Sequence, residues 1–178
     1  MKKISLLFLF VFAVSSAIMA GAWRNYEDYK SYLDARKTAK AAEAEGDTAT
    51  AVSNYLKAAE YCEKSATKNY QAWQINNAAF VLITKFKTAV GYAEKLAKLE
   101  SMKPSPEKVA YQKELANLFG LQLPLIEEAA RYLEKAAGLG DELEAAGAIK
   151  SNSEFCAWVK DFVNSNTESA ESSAGKQE

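Results

Sequence analysis

The stretch Glu45–Glu60, EGDTATAVSNYLKAAE, decides the fold. Gly46 and Asp47 interrupt one run of helix-favouring residues, and Ala51, Tyr55 and Ala58 follow on a single face of the next. Gly46 suits the left-handed end of a helix, and the Asp47 carboxylate can cap the start of another. Alanine at the inward positions lets a neighbouring backbone approach closely. The stretch therefore predicts two helices that cross tightly on either side of Gly46.

Working outward, apolar residues recur at steps of three and four almost everywhere after Trp23, and the chain holds only three prolines and eight glycines, so an all-α domain is expected. Asn25 is the expected cap of a first helix with Tyr26, Tyr29 and Leu33 on its inward stripe and Tyr32 exposed. Val52, Tyr55, Leu56, Ala59 and Cys62 mark the second. A third helix is predicted from Tyr70 to Thr84, with Trp73, Phe80 and Val81 inward, and a fourth from Lys87 through Val90, Ala93, Leu96 and Ala97. Ser105 and Pro106 start a fifth through Tyr111, Leu115 and Leu118. Pro124 starts a sixth, with Ile126, Ala129, Leu133 and Ala136 in line, ending at Gly138-Leu139-Gly140. A short helix from Asp141 to Ile149 precedes a last one, opened by a Ser151/Glu154 capping box and carrying Phe155, Trp158, Val159 and Phe162.

The two ends are different in character. Lys2 and Lys3, the apolar run Ile4–Val14 and the small residues Ala20, Gly21 and Ala22 form the three-part pattern of a secretory signal peptide over residues 1–22, with cleavage after Ala20 or, preferably, Ala22. No cysteine lies there to carry a lipid anchor. The run is short for a membrane span, so none is expected after the signal peptide is removed. Residues 164–178, NSNTESAESSAGKQE, are polar and predict a disordered tail beyond a domain over 23–163. Loss of the leader takes formal net charge from −1 to −3, since two of the 22 cationic side chains go and all 23 acidic ones stay. A mildly acidic chain lacks the positive field that nucleic acid demands.

The alanines carry a family likeness. Gly46, Ala51, Tyr55 and Ala58, with Ala35, Ala39 and Ala42 before them, resemble the tetratricopeptide repeat (TPR). Trp73, Phe80, Ala89 and Ala93 resemble a second unit, and Ala129, Leu133 and Ala136 a third. The likeness covers Leu33 to Ala137. It implies an α-solenoid of antiparallel helix pairs, closed by the last helix as a cap. Departures are visible: Ala51, Ala89 and Ala129 stand 38 and 40 residues apart, against a family period of about 34, so insertions are expected. Asn76 and Asn77 stand where the family has Leu-Gly, and Glu63 replaces its closing proline. The alternative fold is a generic helix bundle with alanine at its crossings.

Chemistry is bounded chiefly by what is missing. With no histidine in the chain, imidazole bases, histidine triads and histidine metal sites are excluded. No phosphate-binding glycine loop or dinucleotide fingerprint occurs, and no cofactor or metal is expected. Cys62 and Cys156 lie roughly 94 residues apart; in an oxidising compartment a disulfide between them would be worth somewhat under about 4.7 kcal/mol, minus any strain, and otherwise they are two small buried hydrophobes. The repeat likeness implies a groove lined by first helices, with Leu33, Arg36 and Lys40 from one unit and Gln71, Gln74 and Ala78 from the next. Asn77, and Asn76 beside it, are poor mid-helix residues that serve either helix-to-helix bonding or a ligand.

The expected function is a non-catalytic adaptor in the periplasm or outside the cell, holding a peptide or helix of an envelope protein in that groove. Two alternatives remain open from the sequence. One is a helical structural subunit of an envelope complex; the other is a carboxylate-dependent hydrolase of cell-wall glycan. Oligomeric state is not legible.

Overall fold

The computed structural model describes residue 23, residues 25–65, 68–140 and 142–167. The expected signal peptide and residues 168–178 of the expected tail lie outside the described residues. The described chain is all-α: α1 (Tyr26–Glu45), α2 (Thr48–Ser65), α3 (Lys68–Val90), α4 (Tyr92–Ser101), α5 (Pro106–Leu121), α6 (Leu123–Ala137) and α7 (Ala146–Thr167). None of these helices is long and apolar enough to cross a membrane.

The helix ends follow the local chemistry. Asn25 Oδ1 accepts from Glu27 N at 2.9 Å, Asp47 Oδ1 from Thr50 N at 3.1 Å, and Ser105 Oγ from Lys108 N at 3.3 Å. Gly46 closes α1 at φ 77°, a left-handed conformation that glycine adopts without strain. The two-residue Gly46-Asp47 link sets α1 antiparallel against α2, with Ala39, Ala42, Ala51, Tyr55 and Ala58 buried.

Three boundaries differ from expectation. The chain does not turn near Lys87: α3 runs unbroken to Val90, because Thr84–Lys87 contains no glycine or proline, and the break comes at Gly91, left-handed at φ 61°. Phe86 and Val90 are accordingly core residues of α3, whereas Ala93 and Ala97 are exposed on the short α4. The Ser151/Glu154 capping box is not used. α7 starts at Ala146 and passes straight through both residues. It also continues to Thr167, into the segment expected to be disordered, where Asn166 and Thr167 side chains bond the carbonyls of Phe162 and Val163 at 2.8 Å each.

Packing order departs from chain order. α1 packs on α2, α2 on α3, α3 on α6, α6 on α7, and α5 on α7, while α4 makes only slight contact with α3 and α5. The α4–α5 pair is thus an excursion between α3 and the helix that covers it. Ala129, Leu133 and Ala136 of α6 belong to the same buried cluster as α3, on which α6 packs, and Ala89 falls within α3 itself. α3 is buried on most of its circumference, from Ala72 and Ile75 through Ile83 and Phe86. Two of its three asparagines reach distant parts of the chain: Asn69 Oδ1 accepts from Glu144 N at 3.3 Å, and Asn76 Oδ1 from Asn152 Nδ2 at 3.0 Å. The bonding role of Asn76 is therefore structural.

The core divides in two. The large cluster runs from Ala39 and Tyr55 through α3 and α6 to Val159 and Val163 of α7. A smaller one joins Trp23, Tyr32, Ala35, Ala58 and Cys62. Tyr32, expected to be exposed, is only 2% accessible, whereas Tyr26 is 71% and Leu33 39% accessible. The inward stripe of α1 is Tyr32-Ala35-Ala39-Ala42, because alanine offers the close crossing and Tyr32 completes the same face one turn earlier. The Trp23 ring packs against Tyr32, with ring centroids 4.9 Å apart and the planes tilted by 37°.

Candidate functional site

Between α1 and α3 lies an open cleft of about 450 Å³, floored in part by α2. α1 contributes Tyr32, Arg36, Lys40 and Glu43, α2 contributes Tyr55, and α3 contributes Tyr70, Trp73, Gln74, Asn77 and Phe80. Four residues singled out in the sequence, Arg36, Lys40, Gln74 and Asn77, meet here. Arg36 and Lys40 sit one turn apart on α1, and Gln74 and Asn77 one turn apart on α3. Gln71 is not in the cleft but buried at 6% accessibility, and Ala78 is fully buried. Leu33 borders a shallower neighbouring depression with Arg36, Lys37 and Lys40.

The cleft's polar groups are unevenly satisfied. The Tyr55 hydroxyl donates to Glu43 Oε2 at 2.7 Å, engaging the one acid of the lining. Gln74 is 2% accessible and its Nε2 donates a long bond of 3.5 Å to the Tyr32 hydroxyl. Its Oε1 is buried with no hydrogen-bond partner, and Arg36 Nε is in the same condition. No ion pair among the described residues involves Arg36 or Lys40. Arg36 and Lys40 outnumber the single acid Glu43, so the lining carries a net positive charge.

Burial, its largest cause, pushes the Tyr32 hydroxyl up to about 12, with Arg36 opposing the rise. Burial likewise raises Tyr55, reinforced by its bond to Glu43, and raises Tyr70. These phenols stay protonated through the neutral range and serve as neutral hydrogen-bonding groups. A general acid or base needs the opposite, a pKa brought towards the working pH. The arrangement suits binding: two cations, two side-chain amides, phenolic hydroxyls and the flat apolar rings of Trp73 and Phe80.

Trp73 and Phe80 were expected in the core. Phe80 is instead 46% accessible and Trp73 half-buried, both lining the cleft. The signal for this was present: Trp73, Asn77 and Phe80 lie at helical steps of four and three, so a groove-facing Asn77 brings both rings with it.

Cys62 and Cys156 are both buried, one in each cluster, and no disulfide joins them. The bridge weighed from the sequence is absent because Cys62 turns towards Tyr32 and Ala58 while Cys156 packs with α6 and the large cluster. Burial raises the Cys156 thiol to about 11.

No family model, curated protein or solved structure matches the chain.

Proposed function

We propose that the protein is a non-catalytic, tetratricopeptide-like interaction module, exported to the periplasm or cell exterior, that holds a peptide or helix of a cell-envelope protein in the α1–α3 cleft. One observation carries this: Arg36, Lys40, Gln74 and Asn77, from two different helices, line one cleft of net positive charge, and neither cation forms an ion pair among the described residues. The succession α1–α2–α3–α6, with alanine at the α1–α2 and α3–α6 crossings, supports the repeat-like architecture, α4 and α5 being the insertion. The absence of histidine and the upward-shifted phenols support a binding role over a catalytic one. The Lys2-Lys3 start, the apolar run and Ala20-Gly21-Ala22 support export.

The test is crosslinking of the tagged protein in cells, affinity capture and mass spectrometry, with an Arg36→Glu, Lys40→Glu variant in parallel. Enrichment of one envelope protein by the parent and its loss from the variant is the expected result. Equal capture by both would move the binding surface away from the cleft.

A further inference from the structure

We infer that the cleft recognises a single acidic residue within an extended peptide segment, taking its side-chain carboxylate on Arg36 and Lys40 and its backbone N–H on Gln74 Oε1. The inference rests on the cleft being a peptide site and names the chemistry of the peptide.

Two orphaned atoms define that chemistry. A buried polar atom without a partner is costly, and natural structures leave few of them. Here two such atoms belong to residues that line one cleft, and they are of opposite kind: Arg36 Nε is a donor and Gln74 Oε1 an acceptor. A ligand that is only an acceptor, such as sulfate or an isolated carboxylate, satisfies the guanidinium and turns its lone pairs on the Gln74 oxygen. A ligand that is only a cation satisfies Gln74 and is repelled by Arg36 and Lys40. The residue that answers both carries an N–H and a carboxylate a few bonds apart, as an aspartyl or glutamyl residue in an extended chain does.

The rest of the lining limits the ligand further. Glu43, already bonded by Tyr55, puts a negative charge at one side of the cleft, which disfavours a run of acids or a polyanion. Asn77, one turn beyond Gln74, offers an amide to the next peptide unit. Trp73 and Phe80 present flat apolar surface to a side chain beside the acidic one. The cleft volume, about 450 Å³, lies in the range of sites for small ligands and suits a few residues of a peptide.

The experiment is an NMR titration of the 15N-labelled protein with three capped peptides. These are acetyl-alanyl-aspartyl-phenylalanyl-alaninamide, its asparaginyl analogue, and an analogue methylated on the aspartyl nitrogen. The aspartyl peptide is expected to shift the Gln74 and Asn77 side-chain amides and the Trp73 indole. The asparaginyl analogue should bind about 10-fold more weakly and the N-methyl analogue at least about 5-fold more weakly. In a Gln74→Met variant the aspartyl and N-methyl peptides should bind equally, because the discriminating acceptor is gone. Equal affinity of the parent for all three peptides, with shifts still confined to the cleft, would overturn the acidic-residue inference and leave the groove intact as a peptide site. Absence of shifts at α1 and α3 with every peptide would overturn both.

Discussion

Gln74 and Tyr32 meet across the α1–α3 boundary with the amide nitrogen 3.5 Å from the phenol oxygen, and the other end of the same amide, Oε1, is buried without a partner. A buried acceptor without a partner costs stability in the protein as it stands. Gln74→Met keeps the length of the side chain and removes both polar atoms. It should stabilise the ligand-free protein by about 1 kcal/mol, read as a rise of a few degrees in Tm, while weakening peptide capture. A fall in Tm would show that the amide is already satisfied in solution.

Tyr55 and Glu43 tie α2 to α1 through a 2.7 Å bond beside the cleft. Tyr55→Phe leaves the buried ring in place and deletes only the hydroxyl. The expected cost is about 1 kcal/mol in chemical denaturation, with the slope of the transition unchanged. Glu43 would be released to face Arg36 and Lys40, so affinity for an acidic peptide should fall as well.

Burial raises the folded-state pKa of Tyr32 and Tyr132, each to about 12 from the ordinary phenol value of 10.0. A raised folded pKa means that the unfolded chain loses its proton first. The stability is therefore fully present below pH 10 and is lost as pH rises from about 10 through about 12. Denaturation midpoints measured from pH 8 to 12 should be flat and then fall, with part of the tyrosinate absorbance appearing only on unfolding. Complete tyrosine ionisation near pH 10 in the folded protein would contradict the buried environment of Tyr32.

Ala51 and Ala58 are fully buried where α2 meets its neighbours. Ala58→Leu inserts a side chain for which there is no space, and the cost should be about 1–3 kcal/mol by thermal or denaturant unfolding. Leu substitution at exposed Ala97 is the control and should stay within about 0.5 kcal/mol.

Cys62 and Cys156 are buried in separate clusters, and burial holds the Cys156 thiol at about 11. Both should therefore react slowly with a disulfide reagent at pH 8 and rapidly in denaturant, with reducing and non-reducing mobility identical. A protein whose thiols remain inert even when unfolded would contain the bridge that the fold lacks.

Much of this molecule is written locally. The caps at Asn25, Asp47 and Ser105 and the stop at Gly46 depend on side-chain oxygens and glycine freedom within a few residues, so periodicity and capping rules locate them. The same local logic brings Arg36 with Lys40, and Gln74 with Asn77, onto single helix faces. Which face of a helix meets another element is a different matter. Tyr32 and Tyr26 are both aromatic and six residues apart, yet one is buried and the other exposed, because the α1–α2 crossing selects the alanine face and Tyr32 happens to extend it. Phe80 leaves the core for the same reason, carried round to the cleft with Asn77.

The sequence by itself determined that the chain is helical, where most helices begin, and which polar residues share a face, since these depend on interactions within one or two turns. Only the tertiary structure decided that α6 covers α3 while α5 packs on α7, that the two cysteines belong to different clusters, and that the faces of α1 and α3 confront one another with a donor and an acceptor left over. Those outcomes depend on shape fit and burial between segments as much as 76 residues apart, as in the Asn76–Asn152 contact, and no short window of sequence contains both partners.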